Sequence, residues 1–338
     1  KSEGYTFQVG IEPEHFLVTR DESGHISVWD PNDVDNLDKP CYDFKGIGNA
    51  MGYLRDLMDG MKKAGWDVYQ SDHEDANGQY EVNFVYSDAL TTADRYTFFK
   101  MMTSQFAKKH GAIATHMAKP FSDRTGSGGH VHYHIADANN ETVLFLNEND
   151  ERGLGLSEFA YHFIGGILHH APALAAVTSP TVNCYKRLQM GAGLYSARSG
   201  FTWTPAFISY GDNNRTQMIR TAGPGHLEDR TVSAANNPYL AFAAYLTAGL
   251  DGVRNKINPG EPNLDNMYEL GLNEIQRRGI EMLPQSLSEA LAELRKDEVV
   301  QSGLGVIYDE FIELKEAEWR EYHRQVSQWE IDRYLTMF

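Results

Sequence analysis

The stretch KPFSDRTGSGGHVHYHI, Lys119 to Ile135, sets four glycine or serine residues, Gly126 to Gly129, before His130, His132 and His134. Side chains two apart on a strand share a face. The segment therefore reads as a bare loop running into a strand whose three imidazoles line one surface. Zinc is the first metal this spacing suggests. Structural zinc prefers sulfur and nitrogen ligands, however, and the chain has two cysteines, Cys41 and Cys184. They build neither a disulfide framework nor a Cys-rich metal site.

Carboxylates elsewhere change the reading. GIEPEHFLV, Gly10 to Val18, places Glu12 and Glu14 on one face of a strand. A solvated face is the simplest account of two such acids, but their neighbours are apolar. HEDANGQYEVNFVY carries Asn77-Gly78 between alternating segments, a hairpin signal, with Glu74 and Glu81 on its two arms. HLEDRTV adds Glu228 and Arg230. Five glutamates and one histidine gathered on strands would repel one another without cations between them. An oxygen-rich set with a single imidazole suits Mg²⁺ or Mn²⁺.

A second feature is a gap in the acids. The chain has 338 residues, 30 basic and 47 acidic, for a net charge of −17. Yet no Asp or Glu occurs from Phe159 to Gly211, where Lys186, Arg187 and Arg198 lie, with Arg215 and Arg220 soon after. A buried helix explains Phe159 to Val177. It does not explain arginines without a local acidic partner. Arginine forks bind carboxylates and phosphates bidentately, and an acidic metal cluster beside them is what phosphoryl transfer from a metal-nucleotide requires. No Walker A sequence is present.

The acidic balance disfavours a nucleic-acid partner. No stretch has the apolar length of a membrane span, and no signal peptide opens the chain, so the cytoplasm is the expected compartment. Strand patterns at 5–18, 26–29 and 66–70, the hairpin, and strands near 112–117, 130–135, 206–210, 216–221 and 227–232 alternate with helices. These run over 46–64, 89–110, 156–177 and 237–256, and most of 286–334 is helical as well. That order predicts an α+β fold with a largely antiparallel sheet and no internal domain boundary.

With these motifs in place, the chain resembles the catalytic domain of glutamine synthetase, closest to its type III branch, which includes γ-glutamylmethylamide synthetases. VGIEPEHFL, HEDANGQYE, KPFSDRTGSGGHVHYH, NCYKRL, NNRTQMIR, GHLEDR, NNPYLAFAAYLTAGLDG and WEIDRYL carry the resemblance, in order, across essentially all of residues 1–338. It implies a curved, funnel-shaped sheet flanked by helices, two or more Mg²⁺ or Mn²⁺ ions per site, and ATP as cosubstrate. Glu14, Glu74 and Glu81 would hold one cation; Glu12, His130 and Glu228 would hold the other. His132 would lie near the nucleotide phosphates, while His134 is a polar residue further along the face. The resemblance also assigns Gly126 and its loop to substrate glutamate, Arg187 to the α-carboxylate and Arg230 to the γ-carboxylate. Arg215 and Arg220 would meet the transferred phosphate and the nucleotide, and Tyr42 the ammonium site. The implied reaction phosphorylates the γ-carboxylate of glutamate and displaces the phosphate with ammonia or a small alkylamine. A homo-oligomeric ring, a dodecamer, and an N-terminal β-grasp domain missing from this sequence are further implications.

Two positions depart from the family pattern. Gly193 stands where a flap glutamate follows the arginine of the YKR motif, and Thr125 stands where the substrate loop carries Asn. The glycine removes a negative charge and leaves room, which tilts the expected amine towards methylamine; ammonia, hence glutamine synthesis, is the alternative. A non-catalytic structural homologue and a guanidine phosphotransferase are the competing classes. The full set of candidate ligands and arginines argues against the first, and the motif order against the second. Tyr268, in NMYELG, reads as a solvent-exposed tyrosine.

Overall fold

The structure is a computed structural model that describes residues 3–32, 40–189 and 203–338. Its strands are β1 (Tyr5–Arg20), β2 (Ile26–Val28), β3 (Val68–His73), β4 (Gln79–Phe84), β5 (Ser87–Asp88), β6 (Ile113–Thr115), β7 (Gly129–Asp137), β8 (Tyr210–Gly211), β9 (Ile219–Gly223) and β10 (His226–Asp229). They form one sheet with the order β3-β4-β1-β7-β10-β9-β8, and β2, β5 and β6 also pair with β1. Every pairing is antiparallel except β8 with β9. The α+β expectation holds.

The helices are α1 (Phe44–Asn49), α2 (Met51–Lys63), α3 (Ala89–Lys109), α4 (Glu158–Thr178), α5 (Pro238–Asn255), α6 (Leu272–Arg277), α7 (Leu287–Leu294), α8 (Glu298–Leu304), α9 (Tyr308–His323) and α10 (Gln328–Tyr334). The helical pattern over 46–64 divides at Ala50, whose N–H reaches back to Ile47 O and Gly48 O. Gly46, Gly48 and Gly52 make this the weakest helix-forming part of the segment. The strand expected at 206–210 shrinks to β8. Its first residues turn away to a later segment: Ile208 N–H donates to Glu281 O, and Phe207 bridges Met282.

Two apolar cores lie on the sheet. Val131, Tyr133 and Ile135 of β7 pack with Phe163, Ile164 and Ile167 of α4 and with Ala241 and Tyr245 of α5. A second core joins Leu17, Tyr80 and Val82 to Tyr53 and Leu57 of α2 and Tyr96 and Phe99 of α3. Each buried Val, Leu, Ile or Phe among them contributes about 1.5–3 kcal/mol. Both helices of the first core are capped as their sequences direct: Ser157 accepts from Ala160 N–H, and Asn237 accepts from Tyr239 and Leu240 N–H. No helix among the described residues is long and apolar enough to cross a membrane.

One buried histidine ties three of these helices together. On α4, His170 Nδ1 lies 2.6 Å from Asp297 Oδ2, and Nε2 lies 3.2 Å from Asp251 Oδ2 of α5. Asp297 is also the N-cap of α8. Both ring nitrogens can donate only in the imidazolium form. Burial opposes that charge, but Asp297 and Asp251 outweigh it and raise the His170 pKa above its ordinary value. Its contribution to stability is therefore fully present below the unfolded value, about 6.5, and is lost as pH rises through the higher folded value. Replacing His170 by Gln is expected to destabilise the fold by about 1–2 kcal/mol at pH 6 and by less at pH 9. Urea denaturation of both proteins at the two pH values checks this; an equal cost at both would contradict it.

Candidate active site

β1 changes partners in its middle, and the site is built at that change. Residues Tyr5 to Pro13 pair with β7, placing Glu12 opposite His130. Two residues on, Glu14 faces Glu81 of β4 across the other edge. Pro13, having no N–H to offer a ladder, sits between them. A single strand thus delivers two carboxylates on one face, each to a different neighbour.

His130 Nδ1 is 3.2 Å from Glu12 Oε2, 3.6 Å from Glu14 Oε1 and 3.6 Å from Glu228 Oε1. Glu12, His130 and Glu228 offer ligand atoms that all fall within 4.8 Å of one another, the sole group of three to do so among the described residues. Burial and the nearby Arg230 push the His130 pKa down to about 4, so the imidazole is neutral and offers a lone pair. Glu228 is fully buried. Its Oε1 accepts from Arg230 Nη1 at 2.6 Å, and Arg220 Nη1 lies 2.7 Å from its Oε2.

The second group of acids is looser. Glu14 accepts from Gln79 Nε2 at 3.0 Å and Gly128 N–H at 2.8 Å, and Glu81 accepts from Asn83 Nδ2 at 2.7 Å. Glu74 lies just past the end of β3, in the turn rather than on a strand, where its N–H donates to Gln79 O. Burial drives the Glu14 pKa up to about 7. Burial and mutual repulsion raise Glu74 and Glu81 well above the carboxylate range. Carboxylates so placed are relieved by bound positive charge. The six residues thus fit one or more hard divalent cations: oxygen donors, one neutral imidazole and strong repulsion among the acids. Zinc's sulfur-rich sets do not match them.

Five of the six, all but Glu228, line a cavity of about 440 Å³ that also contains Tyr42, Asp72, Asp75, Thr125, Gly126, Arg187, Arg215 and Arg230. Arg220 finds its acidic partner, Glu228, across the pairing of β9 with β10, whereas Arg230 pairs with the same Glu228 from two residues further along its own segment. Besides the ion pairs to Glu228, Arg187 donates to the carbonyls of Thr231 and Arg230, and its Nη2 meets His130 Nε2 at 3.2 Å. Tyr42 and Arg215 share a side-chain hydrogen bond at the cavity wall.

The glycine loop has a local reason for its composition. A Cβ on Gly126 would lie 2.3 Å from Ala118 O, and one on Gly128 would lie 2.5 Å from His130 Nε2. Its close approach is thus to the protein's own groups, with Gly126 also facing the cavity.

His132 pairs with His226, Nδ1 to Nε2 at 2.8 Å, and its own Nε2 lies 2.9 Å from Glu12 Oε1. His134 packs edge-on against Tyr86. His226, Asn83 and Asp72 were not among the expected site residues, although His226 and Asn83 stand two residues from Glu228 and Glu81, a period-2 signal already in the sequence. Tyr268 corrects an expectation. It is half-buried, and its hydroxyl donates to Thr204 O at 2.9 Å. Gly193 and Arg198 lie outside the described residues.

Comparison with known proteins follows the same line. A family model described as the glutamine synthetase catalytic domain matches residues 1–334. The chain is 50% identical over 335 residues to a glutamate–methylamine ligase of Methyloversatilis universalis, covering 99% of this chain and 74% of that protein. It is 43% identical over 329 residues to a glutamine synthetase of Rhizobium meliloti, covering 97% and 72%. Among solved structures, an ADP complex of GmaS superposes with a TM-score of 0.89 at 40% identity, over 99% of this chain and 74% of that one.

Proposed function

The chain belongs to the glutamine synthetase family, and on that premise we propose that it is an ATP-dependent ligase joining the γ-carboxylate of glutamate to methylamine through γ-glutamyl phosphate. The observation that carries this reading is the acid-lined cavity into which Arg187, Arg215 and Arg230 also converge. Anionic substrates need the arginines, and the carboxylates need cations. The 50% identity to a glutamate–methylamine ligase favours methylamine over ammonia.

Glu12, His130 and Glu228 would hold one divalent cation, and Glu14, Glu74 and Glu81 another. Bound there, Mg²⁺ or Mn²⁺ would neutralise phosphate charge and polarise the transferred phosphoryl group. Arg187, anchored by two backbone carbonyls and buried, presents a fixed fork suited to the α-carboxylate of glutamate. Arg230 sits where its charge can meet the γ-carboxylate while Glu228 sets its orientation. Arg215 and Arg220 supply positive charge for the phosphate as it departs from the nucleotide, and His132 borders the same region. Gly126 would border the substrate on the cavity wall, its missing side chain serving the packing against Ala118.

A carboxylate is a poor acyl donor, and phosphorylation gives it a leaving group. One γ-oxygen bonds to the γ-phosphorus of ATP as ADP leaves. The amine nitrogen then attacks the acyl carbon, the C–O bond to phosphate breaks, and the amine gives up a proton. Tyr42 lines the side from which the amine would come. The natural assembly is proposed to be a homo-oligomeric ring, a dodecamer.

The test is ADP release by the full-length enzyme with glutamate, MgATP and methylamine, followed by mass analysis of the product. We expect γ-glutamylmethylamide, and ADP release that requires both glutamate and the amine. A higher kcat/KM with ammonium would return the protein to glutamine synthesis.

A further inference from the structure

The amine in this reading is a cation before it reacts, and a cation gains from a fixed negative charge in a site of low dielectric. The acid-free stretch from Phe159 to Gly211 supplies none. Six of the cavity's carboxylates are Glu12, Glu14, Asp72, Glu74, Asp75 and Glu81. Four of these belong to the proposed cation ligands. Asp72, on β3 opposite Glu81, is only half-buried and accepts from Gln70 Nε2 on its own strand. Asp75 remains: it is 8% exposed and opens into the cavity from the hairpin turn.

Its surroundings suit an alkylammonium head. The Cys41 thiol hydrogen-bonds to the Asp75 carboxylate. A thiol carries the proton that this contact needs, and the carboxylate accepts it. A thiol is a weak donor and a carboxylate has about four lone-pair directions, so this one contact leaves Asp75 able to accept from a ligand with several N–H groups. Tyr42, Tyr69 and Trp203 line the same cavity; aromatic faces attract a cation and accept a methyl group.

The backbone explains how neighbours in sequence reach one site. Tyr42 has φ +59°, a left-handed conformation uncommon for a bulky residue. An extended chain would send residues 41 and 42 to opposite faces; with this kink both face the cavity. The kink is held by Tyr42 N–H donating to His73 O, two residues before Asp75. Such strain persists where the surrounding structure enforces it.

We propose that the Asp75 carboxylate, oriented by the Cys41 thiol and walled by Tyr42, is the specificity-determining group that receives the ammonium head of the amine substrate. The assignment rests on the ligase reading above and deepens it. Asp75 binds and positions the amine; it is not a cation ligand.

Steady-state kinetics of the full-length enzyme test this, with wild type, Asp75→Asn, Asp75→Glu and Cys41→Ala compared for methylamine and ammonium. Asp75→Asn is expected to raise the KM for the amine at least tenfold, with the KM for glutamate and the Mg²⁺ activation midpoint changed less than twofold. Asp75→Glu should recover part of the loss, and Cys41→Ala should show a smaller rise in the same constant. An unchanged amine KM in Asp75→Asn overturns the assignment. So does a parallel change in glutamate KM and Mg²⁺ midpoint, which would mean a structural or cation-binding role. If wild type releases no ADP with either amine, the ligase reading fails first and takes this assignment with it. A wild type that uses ammonium alone leaves the same KM comparison to decide for or against Asp75.

Discussion

Replacing Glu228 by glutamine is expected to lower kcat/KM for glutamate by about a thousandfold or more, and to destabilise the fold as well. The side chain is fully buried and stands between two arginines, with Arg230 Nη1 at 2.6 Å and Arg220 Nη1 at 2.7 Å. Burial opposes its charge, but Arg230, His132 and His130 outweigh burial and hold its pKa below the usual value. Gln keeps the shape and removes the charge, leaving Arg230 buried without its counter-ion. Breaking a buried pair in this way costs about 3–5 kcal/mol. The proposed cation set with Glu12 and His130 loses a negative ligand at the same time, so Mg²⁺ activation should shift to higher concentration. Kinetics over a Mg²⁺ series, with urea denaturation alongside, separate the two effects. Activity within tenfold of wild type would remove Glu228 from the site.

The second large effect lies far from the cavity. Introducing even one methyl at Gly166 should destabilise the protein by about 3 kcal/mol, the top of the usual range for overpacking a core, because the obstacle is backbone. α4 and α5 cross at glycines: a Cβ on Gly166 would lie 2.2 Å from Ala248 O, and one on Gly252 would lie 2.2 Å from His162 O. The obstacles are backbone atoms, which cannot rotate away. Alanine in place of glycine gains about 1 kcal/mol of helix propensity, too little to offset separating two helices that carry the main core. Gly166→Ala should therefore unfold at lower urea concentration than wild type. A stabilised variant would mean that the helices do not meet as closely as this.

These two cases mark what could be read from the sequence and what could not. Glu12, Glu14, Glu81, His130 and Glu228 were legible because strand periodicity is two, and each lies in a segment with clear alternation. Which acid would face which neighbour was not: that depends on β1 changing partners at Pro13, a matter of long-range register. The ion partner of Arg220 was hidden for the same reason, since Arg220 reaches Glu228 only through the pairing of β9 with β10. Asp75 was passed over beside Glu74 because nothing local distinguishes a turn acid facing solvent from one facing a cavity. Its burial follows from Cys41 and Tyr42, more than thirty positions earlier. Gly166 and Gly252 look like poor helix residues until the two helices are seen to touch. Tyr268 seemed an exposed ring because its partner, the Thr204 carbonyl, is remote in sequence.

The most direct test of the central claim follows oxygen through the assay already described. Glutamate carrying ¹⁸O at both γ-carboxylate positions is incubated with the full-length enzyme, MgATP and methylamine, and the released phosphate is analysed by mass. If the γ-carboxylate is phosphorylated before the amine attacks, each phosphate carries one ¹⁸O and the amide keeps the other. Phosphate free of ¹⁸O, released in step with product, would contradict a γ-glutamyl phosphate and with it the role assigned to the arginine-lined cavity.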